Sequence, residues 1–128
     1  MGSAPNKTKL TLVVGATDNP ERYAYRAADL LQAKGIPFIP IGIKKGVVFG
    51  KGIVDLRQKP TLAGIHTVTL YLGPQNQAEW MDYLIGLGPK RIIFNPGTAN
   101  SDFFSKAKES GIEVLEACTL VMLTTGQF

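Results

Sequence analysis

Residues 10–35, LTLVVGATDNPERYAYRAADLLQAKG, decide the architecture. Leu10, Leu12, Val13 and Val14 form a short, nearly unbroken apolar run that stops at Gly15. A run with no polar side for solvent suits a parallel strand covered on both faces. After a polar turn the period changes. Ala24, Ala27, Ala28 and Leu31 line one side of a helix, with Tyr23 and Leu30 widening the stripe. Asn19 reads as its N-cap, Pro20 as the first helical residue and Glu21 as a first-turn acid. Gly35, after Lys34, supplies the stop.

The rhythm then recurs. Ile36 to Ile41 is predicted as a second strand, although Pro37 and Pro40 suit one only near its ends or where the missing donor faces no neighbour. Gly- and Lys-rich residues 42–60 predict a long loop with a minor strand near Val47 to Phe49, and Thr61 to Ile65 a short helical turn. His66 to Leu72 is β-branched and apolar, a strand. Residues 75–87 predict a helix burying Met81, Leu84 and Ile85, with Trp80 and Leu87 beside them, ended by Gly88 and Pro89. Arg91 to Phe94 is a strand, and Asn95-Pro96-Gly97 a turn. Asn100 caps a helix whose inner side is Phe103, Phe104 and Ala107, ending at Gly111. Ile112 to Ala117 gives another strand, and Thr119 to Leu123 starts a short helix.

Strands separated by helices argue for βαβ units, hence an α/β fold with a parallel sheet and helices on both faces. A strand-order reversal is expected between the first strand and the one at 66–72. Ligands of such sheets bind at that switch point, beyond the carboxyl ends of the strands. The loops starting at Gly15, Ile41, Leu72, Phe94 and Ala117 should therefore share one rim.

Composition narrows the function. The 128 residues are 45% hydrophobic and 19% charged, which fits one domain over 9–128 behind a flexible tail at 1–8. The single cysteine excludes an internal disulfide. Residues 1–9 lack the apolar segment of a secretory signal, and no stretch has the length of a membrane span, so a cytoplasmic protein with no membrane partner is expected. The net charge of +4 is unevenly placed: residues 1–60 hold ten Lys/Arg and four Asp/Glu, residues 61–128 four and six. That asymmetry suggests an anionic partner on one side. The basic residues cluster too thinly for nucleic acid, and no aromatic stacking motif accompanies them. A small anionic ligand fits better.

The segment Gly15-Ala16-Thr17-Asp18-Asn19-Pro20 joins a strand to a helix start, a place that suits phosphate; Thr17 supplies a hydroxyl and Arg22 a charge. It is not G-x-G-x-x-G, because Thr17 and Pro20 occupy the later glycine positions. Phe38 to Ile43 also offers no acid for a ribose diol. The chain runs instead from Ile41 to Lys44 and Lys45, and later Lys51, which suits a ligand with an additional phosphate. NADP and coenzyme A both meet that requirement. Tyr71-Leu72-Gly73-Pro74, with Gln77 nearby, makes an apolar lip with amide capacity for an adenine or a pantetheine arm. Asn95-Pro96-Gly97-Thr98 is a second polar turn on the same rim.

Catalytic groups are scarce. His66, the only histidine, precedes its strand and is expected at the opposite rim. Cys118 lies at the ligand end but has no histidine beside it in sequence. No metal-ligand spacing, nucleophile elbow or Walker loop is present. The residues read as a holder of a ligand, not an enzyme.

Four segments carry a family likeness: VVGATDNPERYAYRAADLL (13–31), VTLYLGPQNQ (68–77), RIIFNPGTAN (91–100) and EACTLVMLTTGQF (116–128). With them the chain closely resembles the small single-domain CoA-binding proteins related to the CoA-binding domain of the succinyl-CoA synthetase alpha subunit. The resemblance implies a Rossmann-like, three-layer domain with a mainly parallel sheet of about five strands. It implies coenzyme A or acyl-CoA at the strand carboxyl ends, with NADP less favoured. By the same likeness Gly15, Thr17, Asn19 and Arg22 belong to the pyrophosphate loop, Ile41 to Lys45 to the adenosine phosphate, and Tyr71 to Pro74 to the nucleotide. Asn95 to Thr98 matches the polar turn after the fourth main strand. The synthetase's phosphorylated histidine has no counterpart here, so ligase activity is not implied. Open alternatives are an NADP-dependent or acyl-CoA-handling enzyme completed by a partner, and a nucleotide-sensing regulatory protein that docks another chain. Homo-oligomerisation is compatible with each.

Overall fold

The computed structural model describes residues 9–128. The tail expected at 1–8 lies outside them. Six parallel strands form one sheet: β1 (Thr11–Val14), β2 (Phe38–Gly42), β5 (Val54–Asp55), β6 (Thr67–Leu70), β7 (Arg91–Phe94) and β8 (Glu113–Glu116). Their order is β5-β2-β1-β6-β7-β8, so the reversal falls between β1 and β6 as the periodicity suggested. β3 (Val47–Val48) and β4 (Lys51–Gly52) make a separate antiparallel hairpin within the 42–60 segment.

Every residue of β1, β6 and β7 is buried, and those runs are apolar or β-branched except at Arg91, whose guanidinium donates to Thr67 Oγ1 and Phe128 O. Alternation divides their side chains between two layers. Leu12, Val14, Val68, Leu70, Ile92 and Phe94 pack with Met81 and Leu84 of α2 (Met81–Gly86) and with Phe103 and Ala107 of α3 (Ser101–Glu109). Val13, Phe38 and Ile93 pack on the other side with α1 (Tyr23–Ala33) and α4 (Thr119–Thr125). The result is the three-layer, Rossmann-like α/β architecture.

Pro40 sits inside β2, yet it disrupts no bond. The carbonyls of Pro37 and Ile41 accept from Thr11 and Gly15, so alternate residues of β2 face β1 and Pro40 faces the other way. On that side β5 pairs only with Ile41 and Gly42. The missing donor therefore meets no neighbour.

Three expectations need correction. Thr61–Ile65 has no helical turn. The helix expected over 75–87 is broken into two 3₁₀ turns, Pro74–Asn76 and Ala78–Trp80, before the short α2. The first helix begins at Tyr23, not at Pro20, because the turn before it has its own internal bonds. Thr17 Oγ1 accepts from Asn19 N at 3.2 Å, and Asn19 Oδ1 accepts from Glu21 N at 3.0 Å. Arg22 then occupies the N-cap position in an extended conformation with no side-chain cap.

Candidate functional site

The loops following β1, β2, β6, β7 and β8 lie at the carboxyl ends of the strands, and four cavities lie along them, three of which share wall residues. The largest, about 330 Å³, sits at the switch point. Its walls include Gly15, Thr17 and Arg22 from the first loop, Lys44 from the second, Tyr71 and Gly73 from the third, and Pro96, Gly97 and Thr98 from the fourth. Glu21, Tyr23 and Ala24 complete it. The backbone N–H groups in a helix's first turn have no intrahelical acceptor, and Tyr23 and Ala24 occupy that turn of α1.

The first and third loops are locked closely together. Tyr71 N donates to Val14 O at 2.9 Å, extending the ladder by one residue. Gly15 adopts φ +92, and a Cβ there would stand 3.2 Å from the carbonyl carbon and oxygen of Tyr71. Gly15 N and Ala16 N both donate to Ile41 O, at 3.0 and 3.1 Å. Those two donors fasten the first loop to β2 and are not free for an anion.

A slot of about 180 Å³ continues from the first cavity, sharing Tyr23, Tyr71 and Pro96 with it and reaching Asn95, Cys118 and Leu120. Burial pushes the Tyr71 phenol up to about 12, partly offset by the nearby Thr69 and Thr119 hydroxyls. Those hydroxyls bond each other at 2.8 Å, and the Tyr71 oxygen makes no hydrogen bond of its own. In the other direction a cavity of about 300 Å³ is walled by Ile43, Leu56, Arg57, Leu72, Asn76, Glu79 and Trp80. Its Arg57 guanidinium binds Asp55 through Nε at 3.0 Å, holding that carboxyl below its usual range. The fourth, about 240 Å³, shares Asn95, Pro96 and Cys118 with the slot.

Two buried amides fix this rim. Gln77, 1% exposed, donates to Leu72 O and Thr98 O, both at 2.8 Å, and accepts from Asn100 Nδ2 at 3.0 Å. Asn100 Oδ1 in turn caps α3 by accepting from Asp102 N and Phe103 N. Asn95 Nδ2 donates to Thr69 Oγ1 and Leu70 O, while its Oδ1 accepts from Thr119 N at 2.8 Å. Gln77 is thus a clamp between loops, not the ligand-facing amide that its place in sequence suggested.

Of the residues singled out from sequence, Gly15, Thr17, Arg22, Lys44, Tyr71, Gly73, Pro96, Gly97 and Thr98 share the central cavity. Leu72 and Asn95 line the neighbouring ones. Ala16, Asn19, Ile41, Lys45 and Pro74 line none of the four, and Ala16 and Ile41 are buried. Lys51 points away, its Nζ 5.3 Å from the Phe38 ring centroid. Tyr23, Leu120, Ile43 and Trp80 were missed as wall residues. Tyr23 was detectable only by knowing that the helix begins with it.

The opposite rim holds His66, half-buried, with Nδ1 2.7 Å from Thr67 Oγ1. Desolvation, then Arg91, Lys9 and Lys90, lower its pKa. Arg91 and Lys9 both donate to Phe128 O, at 2.8 and 2.7 Å. Among the described residues no group of three or more His, Cys, Asp or Glu could hold a metal ion, and no helix is long and apolar enough to cross a membrane.

Comparison with known proteins agrees with the fold. A solved structure of an uncharacterized protein shares 50% identity at a TM-score of 0.91, covering 94% of this chain and 98% of that one. A hypothetical protein from Pyrococcus horikoshii OT3 shares 26% identity at 0.78, over 93% and 83% of the two chains. Prb, a PH1109 protein redesigned for binding, shares 23% identity at 0.81, over 94% and 84%, a likeness of fold. No curated protein matches. The family model described as a CoA binding domain matches residues 9–124, and the chain belongs to that family.

Proposed function

We propose that the protein binds coenzyme A or an acyl-CoA along this rim, without turnover. The order of the cavities carries the reading. A pocket walled by Leu56, Leu72, Asn76 and Trp80, with Arg57 and Glu79 beside them, neighbours a chamber with Arg22 and Lys44, which continues into a slot of tyrosine, proline and leucine ending at the Cys118 thiol. Coenzyme A has the same order: a base, phosphates, then a largely apolar arm ending in sulfur. Ile43 and Lys44, and Leu72 and Gly73, are sequence neighbours that join the first two compartments.

In this reading Arg22 and Lys44 oppose the phosphate charge, and the Thr17 hydroxyl and first turn of α1 add hydrogen-bond donors. Glu21 on the same wall moderates that attraction. The ligand adds its chemistry only as cargo: a thiol or thioester held at the rim. NADP also carries the needed charge, but its second ribose and nicotinamide want polar partners in the slot. There the Asn95 amide is engaged within the protein and the Tyr71 hydroxyl is closed off. A cytoplasmic setting accompanies the reading, since a lone thiol suits a reducing compartment. Membership of the CoA binding domain family supports the ligand; a kinship with the synthetase's CoA-binding domain is part of this proposal and would carry the ligand and not the ligase reaction. The docking alternative loses its expected face, because Trp80 and Phe128 are only 7% and 6% exposed.

Titration calorimetry with coenzyme A, dephospho-CoA and NADP tests the proposal. Coenzyme A should bind most tightly and dephospho-CoA more weakly. Equal affinity for the two CoA forms would reject a 3′-phosphate role for Lys44. No detectable heat with coenzyme A would overturn the function.

A further inference from the structure

We propose that the far end of the groove is an acyl site selective for uncharged acyl groups, so that the preferred ligand is a neutral acyl thioester; this rests on the CoA reading above. A free thiol needs only the slot that ends at Cys118. Beyond it the structure has another 240 Å³ of space, opening from the same Asn95, Pro96 and Cys118 walls. Phe94, Ala99 and Ala117 supply carbon surface to that space. The Asn95 nitrogen uses both its hydrogens on Thr69 Oγ1 and Leu70 O, so it has no donor left for a carboxylate on an acyl group.

The only charged wall residue is Glu116, at the exposed end of β8. A carboxylate at the end of an acyl chain would meet that like charge and find no cation on the wall. An aliphatic acyl group would meet apolar surface instead. The arrangement therefore discriminates against dicarboxylic acyl groups while accepting neutral ones of similar length.

Calorimetry with coenzyme A, butyryl-CoA and succinyl-CoA tests this. Butyryl-CoA should bind about ten-fold more tightly than coenzyme A, as partial burial of three carbons allows. Succinyl-CoA should bind roughly five-fold more weakly than butyryl-CoA, the size of one like-charge contact near the surface. Glu116→Gln should narrow that gap. Ala99→Trp, a change at an exposed position, should bring butyryl-CoA down to the affinity of coenzyme A. Equal binding of butyryl-CoA and succinyl-CoA by the natural sequence, or butyryl-CoA affinity unmoved by Ala99→Trp, would overturn the acyl site while leaving coenzyme A binding intact. Failure of coenzyme A itself to bind would remove both readings.

Discussion

Replacing Gly15 with alanine separates two contributions to the rim, the backbone conformation and the close approach. Gly15 has φ +92, where an L side chain is strained, and its added Cβ would press on the Tyr71 carbonyl at 3.2 Å and on Leu72 Cδ2 at 3.3 Å. Gly35 provides the control: φ is +70, and nothing lies within 4 Å of its added Cβ. Gly35→Ala should therefore cost about 1 kcal/mol, the left-handed penalty alone. Gly15→Ala should cost about 3 kcal/mol, because backbone atoms cannot rotate away as a side-chain end can. For a chain of this size those values correspond to falls in Tm of about 4 and 12 °C. Urea unfolding followed by circular dichroism measures both. Coenzyme A affinity should fall in the Gly15 variant alone, since the displaced loop carries Tyr71 and Gly73 of the cavity wall. Equal destabilisation by the two substitutions would refute the claim that Gly15 exists to bring these loops together.

Gln77→Leu strands two carbonyls and the Asn100 amide, so it should cost about 3 kcal/mol in urea unfolding and weaken coenzyme A binding as the Leu72 and Thr98 loops separate. Phe128→Ala should cost about 3 kcal/mol from a buried aromatic site, yet leave coenzyme A affinity unchanged in calorimetry, because Phe128 lies with Arg91 and Lys9 at the opposite rim. The Tyr71 phenol is raised from 10.0 to about 12 by burial. Its protonated form is the one the fold favours, so its contribution is complete below pH 10 and lost as pH rises towards 12; unfolding free energy should drop by about 2 kcal/mol across that window. Tyr71→Phe should flatten that slope, and an unchanged slope would show that other groups cause it.

Much of the fold was legible because it depends on which faces are covered. Strands buried on both sides are apolar or β-branched wherever no buried partner satisfies a polar group; β1 and β6 show it throughout, and β7 departs only at Arg91, which is bonded to Thr67 and Phe128. Segments held by specific polar contacts were not. The Asn19 side chain supports a turn and not a helix end, which only its bond to Glu21 N reveals. The region around residues 74–80 has helical periodicity, but Gln77 is drawn inward to bridge two loops, and the backbone around it forms 3₁₀ turns in place of one continuous helix.

The site divides along the same physical line. Residues required by the rim's backbone path, such as Gly15 and Gly97 with their positive φ, are identifiable because few other residues tolerate those paths. The cations are harder, since Lys44, Lys45 and Lys51 are chemically equal in sequence. The hairpin separates them: it turns Lys51 onto the Phe38 ring, while Lys44 stays on the cavity wall. Charge asymmetry along the chain therefore points to an anionic ligand, but the fold selects which charges can meet it. Because β2 and β5 meet only over Ile41 and Gly42, the chain between them is free to form that hairpin. Lengthening β5 would restrict the hairpin and alter the cation arrangement without changing a single charge.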